Sequence, residues 1–136
     1  MNKQEIARQI CKTALLRGNF KLRSGQISNE YFDKYLLEAN PLLLAQIAGL
    51  MKRDIPICAE VLAGLEMGGI PIATAISLQT GLRLAFVRKK AKEYGTCKLA
   101  ESADVSGRQI CMIEDVMTTG GAIIQGGGCE RSEQTG

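Results

Sequence analysis

Short apolar runs alternate with a segment of helical periodicity between residues 55 and 113, and this alternation constrains the fold most. A run ending near Gly64 is followed by a Gly68-Gly69 turn and by a segment that can continue as a helix to Gly81. Two further apolar runs, LRLAFV and RQICMI, are separated by a basic segment. Strand, helix, strand, loop and strand at this spacing predict an α/β fold with a mainly parallel sheet.

The preceding residues have a different pattern. Apolar residues at helical spacing predict a helix from residue 3 to about residue 17. Ser24-Gly25 predicts a turn between two extended pieces, with Tyr31 and Tyr35 in the second piece. Asn40-Pro41 is typical of a helix start, with Asn as the cap, and this helix is expected to reach about Arg53.

The length and composition fit one soluble globular domain. The chain has 136 residues, of which 46% are hydrophobic and 23% charged, values typical of a folded domain. Nowhere do eighteen apolar residues run together, and charges interrupt the N-terminal segment. We therefore expect neither a membrane span nor a secretory signal, and a cytoplasmic location. The main domain is expected at residues 1–123, followed by a poorly ordered glycine-rich tail at residues 124–136.

Histidine is absent and five cysteines are widely spaced. No Cys-x-x-Cys pair occurs, so we predict no metal site made of protein ligands and expect reduced thiols. The lack of histidine also excludes Ser-His and Cys-His nucleophile pairs. Any chemistry must therefore use carboxylates, lysines, backbone amides or a bound ion.

Positive charge is concentrated at residues 88–98. This segment carries a net charge of +4, so the rest of the chain is at −1 within a total of +3. A cationic segment of this kind can be solvated surface, a nucleic-acid patch or a loop that receives a polyanionic small molecule. A nucleic-acid interface usually spreads its charge along a face, so we expect no nucleic-acid partner.

The stretch ICMIEDVMTTGG at residues 110–121 places two carboxylates, Glu114 and Asp115, where an apolar strand stops. Ligands of open α/β sheets bind at such strand ends. The small residues that follow allow a tight loop whose amides and hydroxyls converge on a phosphate; they are Thr118, Thr119, Gly120 and Gly121. The acids would then face sugar hydroxyls or magnesium, which describes a phosphorylated sugar as the ligand. The alternative is an ordinary strand-to-helix turn with a solvated acid pair.

This ordered motif resembles the phosphoribosyl-diphosphate (PRPP) binding motif of type I phosphoribosyltransferases. Three other stretches are similar to motifs of the orotate phosphoribosyltransferase family, in the same order: FKLRSGQISNEYFDKY, LAGLEMGGIPIATAIS and FVRKKAKEYGT. The resemblance implies the type I fold, with a mainly parallel sheet flanked by helices and a small N-terminal hood. It also implies that later C-terminal elements, including a turn that contacts orotate, are missing from this chain.

The resemblance assigns roles to the matched residues. PRPP and orotate would give orotidine 5′-monophosphate and diphosphate, a step of de novo pyrimidine biosynthesis. Arg88, Lys89 and Lys92 match the basic residues around the diphosphate, and Lys92 is the lysine expected to affect rate most. Residues 64–69 would bind diphosphate through backbone amides at Gly68 and Gly69. Arg23, Ser24 and Gly25 match the place where the family holds orotate and the diphosphate end.

The same resemblance implies magnesium, bound mainly through PRPP, and a homodimer in which residues 88–98 reach the neighbouring site. Two classes of function remain open. One is the enzyme, with Lys92, Lys89, Arg88 and Asp115 as its catalytic residues. The other is a PRPP-binding regulator or an inactive remnant of the family. The basic segment favours the enzyme, because a simple binder needs no diphosphate clamp, whereas the short tail favours the remnant.

Overall fold

The computed structural model describes residues 2–90, 95, 100–102 and 105–115. The chain divides into two compact units, Met1–Ile47 and Ala48–Gly136. The predicted tail at residues 124–136 lies outside the described residues. Of the helices that are described, none combines the length and the apolar character that crossing a lipid bilayer requires.

The first unit opens with helix α1 (Lys3–Ala14). The Asn2 side chain accepts a hydrogen bond from the Glu5 amide at 2.8 Å, and Glu5 accepts one from the Asn2 amide, which forms a capping box. The helix ends three residues before the predicted limit of about residue 17. Leucines and arginine favour helix, but pairing with a second strand takes over from Leu15.

Strands β1 (Leu15–Lys21) and β2 (Ile27–Phe32) form an antiparallel hairpin. The predicted turn is confirmed, since Gly25 has φ +89° and its amide donates to the Leu22 carbonyl at 2.9 Å. Tyr35 was predicted in the second extended piece, which is wrong. It lies in helix α2 (Lys34–Glu38), where Asp33 accepts from the Tyr35 amide at 3.0 Å and so starts the helix.

Helix α3 (Pro41–Met51) begins as predicted, because the Asn40 side chain accepts from the Leu43 amide at 3.1 Å. A single 3₁₀ turn (Lys52–Asp54) follows it. Cys11 and Cys111 are reduced, and Cys111 is buried in β6 (Ile110–Ile113). Cys58 is disulfide-bonded, so the expected reduced thiol is wrong there. Cys58 is exposed in the turn before the sheet.

The second unit is built on a four-stranded sheet with the order β5-β4-β3-β6. Strands β3 (Val61–Leu65), β4 (Arg83–Val87) and β6 (Ile110–Ile113) are parallel, with Gly64 opposite Phe86 and Ile113. This confirms the predicted mainly parallel α/β sheet. Strand β5 (Ala100–Ser102) pairs antiparallel with β4 and was not predicted, because three residues of mixed polarity give no strand pattern.

Helix α4 (Gly69–Thr80) connects β3 to β4 and buries Ile72, Ala73 and Ile76. It packs on β3 at Gly64, where a Cβ would lie only 2.9 Å from the Ile70 Cα. The predicted end at Gly81 is confirmed by its φ of +78°. The other face of the sheet forms an apolar core that consists of Val61, Ala63, Leu65, Ala85, Val87, Ile110 and Met112.

Candidate functional site

Three segments meet at one edge of the sheet because three parallel strands end there in register. Glu66 follows β3, Arg88 follows β4 and Glu114 follows β6. The carboxyl edge of a parallel sheet is where α/β proteins place their ligand sites. The fold therefore brings together the acid pair, the glycine turn and the start of the basic segment, which are far apart in the sequence.

Asp115 lies directly against Gly68. A Cβ built on Gly68 would overlap the Asp115 carboxyl group, with Oδ1 at 2.6 Å. Only glycine leaves room for this carboxylate beside the loop that joins β3 to α4, residues 66–68, called the β3–α4 loop below. The two predicted halves of the site, the glycine turn and the acid pair, are thus in contact.

Gly69 makes a second close approach, between backbones. A Cβ there would overlap the carbonyl oxygen of Ile113 and would lie 3.3 Å from the Glu114 Cα. Gly69 is also the first residue of α4, and first-turn amides lack intrahelical acceptors. A helix start of this kind favours an anion as the partner of those amides.

Glu66 connects the β3–α4 loop to the start of the basic segment. Its amide donates to the Val87 carbonyl at 2.8 Å, and its Oε1 accepts from the Lys89 amide at 2.7 Å. The peptide bond from Glu66 to Met67 is cis. The sequence prediction missed Glu66, although an acid that directly follows a buried strand was an available signal.

The basic residues that the structure describes differ in their surroundings. Arg88 Nε lies 3.4 Å from Glu101 Oε2 on β5, and the two side chains are 35% and 25% exposed. Arg88 therefore faces an acid of the neighbouring strand. Lys89 and Lys90 are exposed to solvent.

The remaining predicted site residues belong to the first unit or lie outside the described residues. Arg23, Ser24 and Gly25 form the exposed hairpin turn of the first unit. The residues outside the described part of the chain are Lys92, Thr118, Thr119, Gly120 and Gly121. Within the second unit, the structure brings together Gly68, Gly69, Glu114 and Asp115, with Lys89 joined to them through Glu66.

The described carboxylates at this edge do not form a metal site by themselves. In the part of the chain that the structure describes, no group of three or more Asp, Glu or Cys residues could ligate a metal. Glu114 and Asp115 offer one adjacent pair. A pair of this kind suits an ion that receives its other ligands from a bound phosphate compound.

Residues 36–127 match the family model of the phosphoribosyl transferase domain. The chain is 56% identical over 118 residues to the orotate phosphoribosyltransferase of Nocardioides sp.. The aligned residues cover 87% of this chain and 66% of that protein. It is 42% identical over 127 residues to the orotate phosphoribosyltransferase of Pyrococcus abyssi, covering 90% of this chain and 70% of that one. The chain thus spans about two thirds of the length of these curated relatives.

Solved structures give the same result. The orotate phosphoribosyltransferase of Mycobacterium tuberculosis H37Rv in complex with Fe(III) dicitrate superposes with a TM-score of 0.75 at 30% identity, over 92% of this chain and 77% of that chain. The same enzyme in complex with PRPP gives a TM-score of 0.69 at 28% identity, over 93% of this chain and 75% of that chain. The sheet edge described above therefore belongs to a fold that binds PRPP in a relative.

Proposed function

Because the chain belongs to the orotate phosphoribosyltransferase family, we propose that it transfers the phosphoribosyl group of PRPP to orotate. The products are orotidine 5′-monophosphate and diphosphate. One observation carries the proposal, namely the contact between Gly68 and Asp115. In PRPP the diphosphate on C1 adjoins the hydroxyls of C2 and C3. A loop that binds diphosphate must therefore lie beside the acids that hold those hydroxyls.

Each residue has a role that its chemistry supports. Glu114 and Asp115 accept hydrogen bonds from the ribose hydroxyls, as carboxylates commonly do. The amides at Gly68 and Gly69 receive the diphosphate, and Lys89 adds positive charge. Residues 118–121 receive the 5-phosphate. The hairpin turn residues Arg23, Ser24 and Gly25 hold orotate and the diphosphate end.

Catalysis then depends on position and charge. As diphosphate leaves C1, negative charge grows on the leaving group, and lysines and amides placed around it stabilise the transition state. Lys92 is the lysine that we expect to act most strongly in this step, with Arg88 and Lys89 beside it. Orotate needs only to be held in line with C1, so no covalent enzyme nucleophile is required.

Magnesium fits this site as an ion bound mainly through PRPP. Glu114 and Asp115 are the carboxylates that would face it, and Mg²⁺ usually combines one or two carboxylates with phosphate oxygens and water. When bound, the ion neutralises part of the diphosphate charge. The protein residues bind and orient the sugar around it.

We also propose a homodimer in which residues 88–98 reach the neighbouring site. The family resemblance supports this arrangement. Mixing Lys92→Ala with Asp115→Asn tests it, because a mixed dimer would contain one site with both native residues. Activity should return to about a quarter of the wild-type value. If the mixture stays as inactive as its components, each site is built from one chain.

The activity is tested with purified protein, magnesium, PRPP and orotate, by following the loss of orotate absorbance. Asp115→Asn is the matched control, since it keeps the shape of the side chain and removes its charge. Turnover by the wild type supports the enzyme. PRPP binding without turnover supports the regulator or inactive remnant. The cytoplasmic location and the lack of nucleic-acid and membrane partners stay predictions.

A further inference from the structure

Glu66 holds two neighbouring strand ends together. Its backbone amide extends the pairing of β3 and β4 by one bond, to the Val87 carbonyl at 2.8 Å. Its side chain then reaches past the end of β4 and accepts from the Lys89 amide at 2.7 Å. β4 ends at Val87, so the Glu66 carboxylate accepts from an amide two residues beyond the end of the strand.

The location of this acid is chemically unusual. Glu66 lies in the β3–α4 loop, two residues before the glycine that contacts Asp115. A carboxylate beside a loop that receives diphosphate raises the local negative charge, which opposes anion binding. Its hydrogen bond to an amide is charge-assisted and therefore strong for its type. An acid at this position is explained if its hydrogen bond to the Lys89 amide benefits the site more than its repulsion of the diphosphate harms it.

A similar arrangement at the other end of β3 provides a comparison. Glu60 accepts from the Gln109 amide at 3.3 Å and from Arg108 Nη1 at 3.2 Å. The Glu60 carboxylate thus joins the start of β3 to the residues that precede β6. This is the amino end of the strand, opposite the edge that carries the site. Glu60 therefore makes the same kind of hydrogen bonds as Glu66 but does not lie at the carboxyl edge of the sheet.

We propose that Glu66 is a positioning residue that anchors the start of the basic segment to the β3–α4 loop. The anchor fixes where the chain leaves β4, so that the Lys89 side chain starts beside the diphosphate position. This inference rests on the proposed function for its consequence. The anchor itself can be tested without any ligand.

The first test measures the anchor in the ligand-free protein. Proteins labelled with ¹⁵N-lysine are compared by amide hydrogen exchange, and the Lys89 signal is assigned by its loss in Lys89→Arg. Glu66→Ala should speed exchange of the Lys89 amide by about tenfold or more. Glu66→Gln keeps an acceptor oxygen and should restore protection, and Glu60→Ala should leave the Lys89 amide unchanged. Equal protection in wild type and Glu66→Ala overturns the proposal.

The second test measures the consequence. Glu66→Ala should lower kcat for orotate about tenfold and change the PRPP dissociation constant by less than about threefold, because a displaced lysine affects the transition state more than the ground state. Glu66→Gln should recover most of kcat. A similar loss in Glu60→Ala would identify a general structural effect and contradict the positioning role.

The two tests separate the two claims. If the wild type has no turnover, the proposed function fails, and the exchange data still decide whether the anchor exists. If the wild type is active and Glu66→Ala loses Lys89 protection without losing kcat, the function stands and the positioning role is wrong.

Discussion

The carboxylate of Asp115 occupies the space in which any residue other than glycine at position 68 would place its Cβ. The obstruction is the end of a side chain, which can rotate away. Gly68→Ala should therefore reduce the free energy of unfolding by less than about 1 kcal/mol, yet displace the carboxylate. PRPP binding, measured by calorimetry, should weaken about tenfold or more. Unchanged affinity would show that the position of Asp115 does not matter for binding.

Gly69→Ala, in contrast to Gly68→Ala, should mainly reduce stability. Its Cβ would meet the backbone carbonyl of Ile113, and a backbone in the sheet cannot move aside easily. We expect a loss of about 1–3 kcal/mol in the free energy of unfolding, measured by urea denaturation. Gly49→Ala is the matched control, because its Cβ would have only an ordinary contact at 3.5 Å with Gln79 Oε1. That helical substitution should stabilise the protein by about 0.5–1 kcal/mol.

Glu101→Gln tests the ion pair between β5 and the start of the basic segment. The pair is partly exposed and its atoms are 3.4 Å apart, so its loss should change stability by less than about 1 kcal/mol. The substitution frees Arg88 for an anion, and PRPP binding should strengthen or stay the same. Clearly weaker binding would mean that Glu101 holds Arg88 in its useful position.

Lys92→Ala should lower kcat by about tenfold or more and should weaken PRPP binding much less. The reason is that charge on the leaving diphosphate grows only in the transition state. Steady-state rates and calorimetric affinities of the same preparations separate the two effects. Lys52→Ala, in the 3₁₀ turn after α3, controls for the loss of one positive charge. Equal rates in wild type and Lys92→Ala would remove this residue from the catalytic step.

Local signals allowed the elements with clear ends to be predicted. Asn40 starts α3 through its own side chain, and Gly81 ends α4 because it can adopt a positive φ. Both helix ends can therefore be predicted from a single residue type. The limit of α1 depends on pairing between Leu15 and Phe32, which no local pattern contains. Tyr35 was misplaced for a related reason, since the cap from Asp33 outweighs the strand tendency of the tyrosine.

The site was predicted in parts. Glu114-Asp115 and Gly68-Gly69 have recognisable compositions, and neighbouring parallel strands bring such motifs to one edge of the sheet. Their close contact could not be predicted, because it depends on the pairing of Gly64 with Ile113. Glu66 was missed because its partner is a backbone amide, and an amide has no signature in the sequence. The resemblance placed Arg88 beside the diphosphate, whereas its described partner is the carboxylate of Glu101.

The register between β3 and β6 sets the distance from the glycine turn to the acid pair. Gly64 stands opposite Ile113, and no residue separates β6 from Glu114. The pairing of β3 with β6 therefore fixes the distance between the two parts of the site. A substitution can change or displace the carboxylate groups, but an insertion or deletion is needed to change how far the backbone of residues 114–115 stands from the turn.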